Sequence, residues 1–255
     1  MMLLFRKNRQ ITVVIAWNQL LAPSTTSNPN VSRALFARTA KIAPMPKKLS
    51  VQARARKVKL LLFDVDGVLT DGKLFIFPAP PGTQQALQHS AKPEGEAGFG
   101  FHSQSLIEAK GFHAHDGTSI SLARLAGLKT GLITKRISET VALRARDLKL
   151  EYVHQGVQDK RTCLLEIVRQ ASLKPEEAAF VGDDVIDLSA MRAGGLAIAV
   201  KNARSEVKKE AHYITPHAGR DGALRDAVEF ILKAQGKWKK VVEAYIGERS
   251  AEGSS

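Results

Sequence analysis

The sequence predicts an α/β fold: a Rossmann-like, doubly wound parallel sheet with a β-hairpin flap after its first strand and no large cap domain. Three observations predict it. Short apolar runs of strand length alternate with amphipathic helical runs from residue 58 onward, the pattern of a parallel sheet with helices on both faces. Acidic and other polar residues gather immediately after the apolar runs, where open α/β sheets place their sites. Between Thr70 and His115 the alternation breaks, over a stretch too short for a second large domain.

The chain has 255 residues, 44% of them hydrophobic, which suits one globular domain with additional segments. Its single cysteine, Cys163, excludes an intramolecular disulfide and a cysteine-built zinc site and fits a reducing compartment. The net charge of +13 is uneven. Residues 1–63 hold 12 of the 38 Lys and Arg and no Asp or Glu, leaving 26 basic against 25 acidic residues in 64–255. The body is near neutral, so the basic balance does not mark a nucleic-acid-binding face. Residues 1–50 read as a basic leader without regular structure. Arg6-Lys7-Asn8-Arg9 before the apolar run Ile11–Trp17 loosely resembles the basic and apolar regions of a signal peptide; alternatively, translation starts at Met45. With no run of about 18 apolar residues, no membrane span is expected.

The domain is expected over 51–236. Val58–Val65 is a nearly continuous apolar run, as a strand buried on both faces should be. Lys73–Phe77 reads as a strand halted by Pro78-Ala79-Pro80-Pro81-Gly82, and Gly111–His115 as the returning strand, making a hairpin insertion over 71–115 with a long tip. A helix is predicted over Ser119–Ala126, ended by Gly127, then a strand at Lys129–Thr134 and a helix capped by Ser138. Tyr152–Gln155 is a third sheet strand, Lys160–Leu173 a helix, Ala178–Gly182 a fourth strand and Val185–Ala193 a short helix. Leu196–Val200 and Tyr213–Ile214 complete the strands. Ala223–Ala234 is an amphipathic helix, and a more polar helix begins the C-terminal segment 237–255.

Four polar sites follow four of these strands in order: Asp64 and Asp66; Thr134; Lys160 at the start of the helix after the third; and Asp183, Asp184 and Asp187. Alternation along an extended chain puts Asp64 and Asp66 on one side. Clustered carboxylates repel one another and call for a cation, and an oxygen-only set suits Mg2+. With a lysine charge and a threonine hydroxyl to meet phosphoryl oxygens, the set points to phosphoryl transfer. A second carboxylate beside the nucleophile can protonate the leaving oxygen and then activate water. Asp-x-Asp or Gly-Asp-Asp alone is a weak signal, since turns explain most instances; the ordered set is specific. His102, His113 and His115 lack the carboxylate–histidine pattern of a metal site.

Phe63-Asp64-Val65-Asp66-Gly67-Val68-Leu69-Thr70-Asp71-Gly72 resembles the first motif of the haloacid dehalogenase superfamily. Gly111–Gly117, Leu132-Ile133-Thr134, Gln155-Gly156 with Lys160, Val181–Asp187 and Gly219–Arg225 extend the likeness over roughly 58–236. Within the superfamily the chain is similar to the capless 3-deoxy-D-manno-octulosonate (KDO) 8-phosphate phosphatases of lipopolysaccharide precursor synthesis. That resemblance implies Asp64 as nucleophile, becoming an aspartyl-phosphate, and Asp66 as general acid/base. It implies Mg2+ held by Asp64, the Asp66 carbonyl and Asp183, with Asp187 acting through water, and Thr134 and Lys160 on the phosphoryl group. His115, Arg136, Arg220 and Arg225 become candidates for the substrate, a sugar-acid phosphate. A cytoplasmic homotetramer with no nucleic-acid or membrane partner is implied. Three departures bear on substrate choice: Lys135 stands where the family has glycine before Arg136, His115 replaces an arginine, and the tip at 78–104 is longer. A phosphatase for a nine-carbon sugar acid phosphate and a non-catalytic assembly protein retaining the fold are the alternatives.

Overall fold

The computed structural model describes residues 4–7, 10–13, 49–78 and 106–252, in two units, 1–47 and 48–255. In the first, β1 (Leu4–Lys7) and β2 (Gln10–Val13) pair antiparallel, Leu4 opposite Val13 and Lys7 opposite Gln10. The leader is therefore not without regular structure over these eight residues. Its Ser/Thr/Asn-rich part, Met45 and the flap tip lie outside the described residues.

The second unit begins with α1 (Val51–Lys57), which the sequence reading lacks; Ser50 caps it by accepting from the Ala53 N–H. β3 (Leu60–Phe63) follows, each of its four residues fully buried. Burying each such side chain stabilises the fold by roughly 1.5–3 kcal/mol. The remaining elements are β4 (Phe75–Pro78), β5 (Leu106–Ala109), α2 (Ala114–Leu125), β6 (Lys129–Ile133), α3 (Glu139–Asp147) and β7 (Tyr152–His154). Then come α4 (Lys160–Gln170), β8 (Ala178–Gly182), α5 (Leu188–Ala193), β9 (Leu196–Ala199), α6 (Ser205–Glu210), β10 (Tyr213–Ile214), α7 (Ala223–Ala234) and α8 (Trp238–Glu252). Among the described residues no helix is long and apolar enough to cross a membrane.

The main sheet is six-stranded and parallel throughout, in the order β10-β9-β8-β3-β6-β7. From β3 the chain builds outward through β6 and β7, then returns to the other side of β3 with β8. The order reverses beside β3, and the crevice at such a reversal is where these sheets bind ligands. Helices α1, α2, α7 and α8 pack together, and α4 packs on α5 as a second group.

The flap differs from expectation. Its returning strand is β5, and Gly111–His115 instead runs through an extended His113 into the first turn of α2. The alternation of Phe112 and Ala114 resembles a strand, but Asp116 is fully buried and its Oδ1 accepts from the Arg225 N–H at 2.9 Å. That contact with the start of α7 holds the segment as helix, so α2 begins five residues before the predicted Ser119. β4 and β5 pair antiparallel, Phe75 opposite Ala109 and Pro78 opposite Leu106. Pro78 closes the strand, where its missing N–H is tolerated. Ser138 caps α3 as expected, accepting from the Val141 N–H at 3.3 Å.

Candidate active site

The site grows from the register of three adjacent strands. Phe63 lies opposite Val181 of β8 and opposite Leu132 of β6. The next residue, Asp64, donates its N–H to the Val181 carbonyl at 3.0 Å. One residue beyond Gly182 on β8 comes Asp183, and one beyond Ile133 on β6 comes Thr134, buried and bonded through its N–H to the His154 carbonyl at 2.9 Å. Parallel pairing thus sets three polar residues at one end of the sheet core.

Asp187 joins them through a short turn, Val185–Asp187. Its Oδ2 accepts from the N–H groups of Asp183 (2.9 Å) and Asp184 (3.3 Å), and its Oδ1 lies 2.7 Å from the Lys160 ammonium. Gly182 permits this fold-back, since a Cβ there would sit 2.6 Å from the Asp187 Cβ. Lys160, the first residue of α4, is 2% exposed and also lies 2.9 Å from Asp64 Oδ2. Asp64 Oδ1 accepts from the Val65 N–H at 2.7 Å. Oxygens of Asp64, Asp183 and Asp187 lie within 4.8 Å of one another, a grouping able to hold a metal ion.

The electrostatics match this crowding. Burial pushes the Asp64 carboxyl up to about 6, Asp187 adds to the rise, and Lys160 opposes it. Burial pushes Asp183 up to about 7, with Asp187, Asp64 and Asp184 adding repulsion. Burial alone would lower Lys160, but the attraction of Asp64 and Asp187 outweighs it and the ammonium is held above its ordinary value. Asp183 Oδ1 is buried with no hydrogen-bond partner. Three carboxylates against one ammonium, all oxygen donors, with one buried oxygen unsatisfied, suit a hard divalent cation such as Mg2+.

Asp66 is placed differently from the sequence argument. β3 ends at Phe63, and Asp66 sits in the turn that follows, so strand alternation does not govern it. Its Oδ1 pairs with the Lys110 ammonium, and its Oδ2 lies 3.3 Å from Arg136 Nε. Gly67 carries the turn with φ +90°, and a Cβ there would fall 2.5 Å from the Asp183 Cγ. Both a left-handed backbone and close approach therefore demand glycine.

Of the candidate substrate residues, Arg136 lies beside Asp66, and the other three make contacts of their own. His115 is exposed, its ring edge-on to His113 at 4.8 Å. Arg220 (φ 72°) pairs with Asp71 and donates its N–H to the Val68 carbonyl at 3.1 Å, laying its segment on the turn after Asp66. The Arg225 guanidinium lies 4.8 Å over the Trp238 ring and 3.6 Å from Glu229. Sequence reasoning missed Lys110 and Glu108. Both read as ordinary charges beside a strand, and no spacing signals their inward position.

The sequence profile of the haloacid dehalogenase-like hydrolases matches residues 122–225. The 3-deoxy-D-manno-octulosonate 8-phosphate phosphatase KdsC of Salmonella typhi is 31% identical over 192 residues, 75% of this chain and 88% of the relative. A Moraxella catarrhalis 3-deoxy-D-manno-octulosonate 8-phosphate phosphatase, solved with magnesium, phosphate and KDO, superposes with a TM-score of 0.63 at 29% identity, over 76% of this chain and 97% of that one. The Yersinia pestis phosphatase of the same name gives 0.61 at 31% identity, over 74% and 88%. With a likeness that spans most of these relatives and a carboxylate group at the switch point of the sheet, the chain belongs to the haloacid dehalogenase-like hydrolases, among the phosphatases similar to 3-deoxy-D-manno-octulosonate 8-phosphate phosphatase.

Proposed function

We propose that the chain hydrolyses the phosphomonoester of a sugar acid, converting KDO 8-phosphate to KDO and phosphate in lipopolysaccharide precursor synthesis. The observation that carries the reading is the set of Asp64, Asp183 and Asp187 around Lys160 at the carboxyl ends of β3 and β8. A carboxylate oxygen of Asp64 attacks phosphorus, and the bond from phosphorus to the sugar oxygen breaks. Asp66 gives its proton to that oxygen. Asp66 then takes a proton from water, whose oxygen attacks the aspartyl-phosphate, releasing phosphate and restoring Asp64. Lys160 orients Asp64 and meets the charge of the phosphoryl oxygens, and Thr134 donates its hydroxyl to one of them.

Mg2+ bound by Asp64, the Asp66 carbonyl and Asp183, with Asp187 through water, would offset the repulsion between the carboxylate nucleophile and the phosphate. Both Asp187 oxygens are already engaged by Lys160 and backbone N–H groups, which supports a role through water. The flap's exposed Phe75, Ile76, Phe77 and Ile107 support a homotetramer joined through the flaps, since clustered exposed apolar residues mark interaction surfaces. A cytoplasmic location belongs to the same reading, supported by the single cysteine, Cys163, which fits a reducing compartment. A nine-carbon sugar acid phosphate is the second reading, resting on His115 standing where the family has arginine.

The test is phosphate release from a panel of sugar-acid phosphates with Mg2+, before and after chelation. Asp64→Asn should lower turnover by about 10³-fold or more. Comparable turnover in the variant would refute the assignment, and preference for the nine-carbon ester would select the second reading. A non-catalytic scaffold would release no phosphate from any of them.

A further inference from the structure

The base of the flap is wired into the turn that carries Asp66. Lys110, the residue after β5, has a side chain 0% exposed. Its ammonium pairs with Asp66 Oδ1 and lies 3.5 Å from Glu108 Oε1. Glu108 is held in turn from the other side of the crevice: its Oε1 accepts from Ser138 Oγ at 3.0 Å, and its carbonyl accepts from Thr140 Oγ1 at 3.2 Å. Ser138 also donates its N–H to Gln155 Oε1 at 2.7 Å. A continuous chain therefore runs from the segments after β6 and β7, through the last turn of the flap, to Asp66.

The remaining polar neighbours of Asp66 cannot fix it alone. Thr70 Oγ1 stands at 3.4 Å and Arg136 Nε at 3.3 Å, both long. The Asp66 side chain is 26% exposed, and that of Arg136 is 30% exposed. Lys110 is the one wholly enclosed charge facing this carboxylate among its described partners. A buried ammonium with two carboxylate partners has little rotamer freedom, so it holds Asp66 where a mobile surface lysine would not.

We propose that Lys110 is a positioning residue for the proton-transfer step: it holds the Asp66 carboxyl over the leaving oxygen, and Glu108 anchors Lys110 to the α3 side of the crevice. The inference rests on the proposed phosphatase reading, in which Asp66 shuttles the proton. It gives the base of the flap a part in the chemistry.

A positioning role leaves a kinetic signature that a general loss of structure does not. An alkoxide leaving from a sugar phosphate needs a proton, whereas p-nitrophenolate leaves without one. Lys110→Met should lower kcat/KM for KDO 8-phosphate by about 10–100-fold, the scale of a misplaced catalytic group. For p-nitrophenyl phosphate, kcat/KM should fall by less than about threefold, because that quantity ends with leaving-group departure. Its kcat should fall more steeply, since water attack on the shared aspartyl-phosphate needs Asp66 as base. Lys110→Arg should recover part of the loss with the sugar phosphate.

Equal losses of kcat/KM with the two esters, or no loss with either, would overturn the proposal. If Lys110→Met does not fold, Lys110→Gln and Lys110→Arg read the same ratio, and a ratio unchanged from wild type in both would overturn it. Wild-type protein that releases no phosphate from either ester would remove the phosphatase reading, and the inference with it. An active wild type with unselective variants would remove the inference alone.

Discussion

Lys160→Met tests whether one ammonium holds the carboxylate group together. Lys160 is 2% exposed and lies 2.9 Å from Asp64 and 2.7 Å from Asp187. Removing one partner from a buried ion network costs about 3–5 kcal/mol, or roughly 6–20 °C in Tm for a domain of this size. The loss should depend on pH. Asp64 and Asp183 sit at about 6 and about 7 in the folded chain, above the ordinary 3.8. A carboxyl raised on folding binds its proton more tightly in the native state, so metal-free stability falls as pH climbs from about 4 to about 7. At pH 8 the variant leaves charged carboxylates facing one another without their cation and should show the full loss. At pH 5 protonation relieves the repulsion, and less than half of the loss should remain. Urea unfolding of wild type and variant in chelator at both pH values measures the difference. Equal losses at pH 5 and pH 8, or a loss under about 1 kcal/mol at pH 8, would refute the reasoning.

On the proposed reading the same carboxyls govern metal affinity. Mg2+ must displace the protons that Asp64 and Asp183 retain near pH 6, so calorimetry in buffers of different ionisation enthalpy should report about one to two protons released at pH 6 and almost none at pH 8.5; proton uptake would contradict this. Gly67→Ala meets both a left-handed backbone and the Asp183 carboxylate, and should cost roughly 2–4 kcal/mol in thermal or urea unfolding and weaken Mg2+ binding. Gly72→Ala has φ +77° but no atom nearer than 3.6 Å; it should cost only about 1 kcal/mol and leave Mg2+ affinity unchanged, and equal effects from the two would be inconsistent with the crowding at Gly67.

The sheet was legible in the sequence because its strands are buried on both faces. Leu60–Phe63, Ala178–Gly182 and Leu196–Ala199 carry no polar residue to obscure them. The residues after them were legible for the same reason: a charge at the end of an apolar run has few explanations other than a site. What was missed depends on tertiary contact. Gly111–His115 alternates like a strand and becomes the entry to α2 only because Asp116 reaches the start of α7. Lys110 and Glu108 have the composition of a solvated flap, and their inward position appears only when the flap meets Asp66 and Ser138. α6, six residues long, lacks the two turns over which helical periodicity shows itself.

The register of β3 against β8 has a consequence for how such a protein can vary. Asp64 and Asp183 stand one and two residues past the paired couple of Phe63 and Val181. One residue inserted in either strand would shift its acid by about 3.3 Å and turn it to the opposite side, whereas residues added between Pro78 and Leu106 leave that spacing unchanged. On the proposed reading, the flap can change in length without retuning the distance at which phosphorus is attacked.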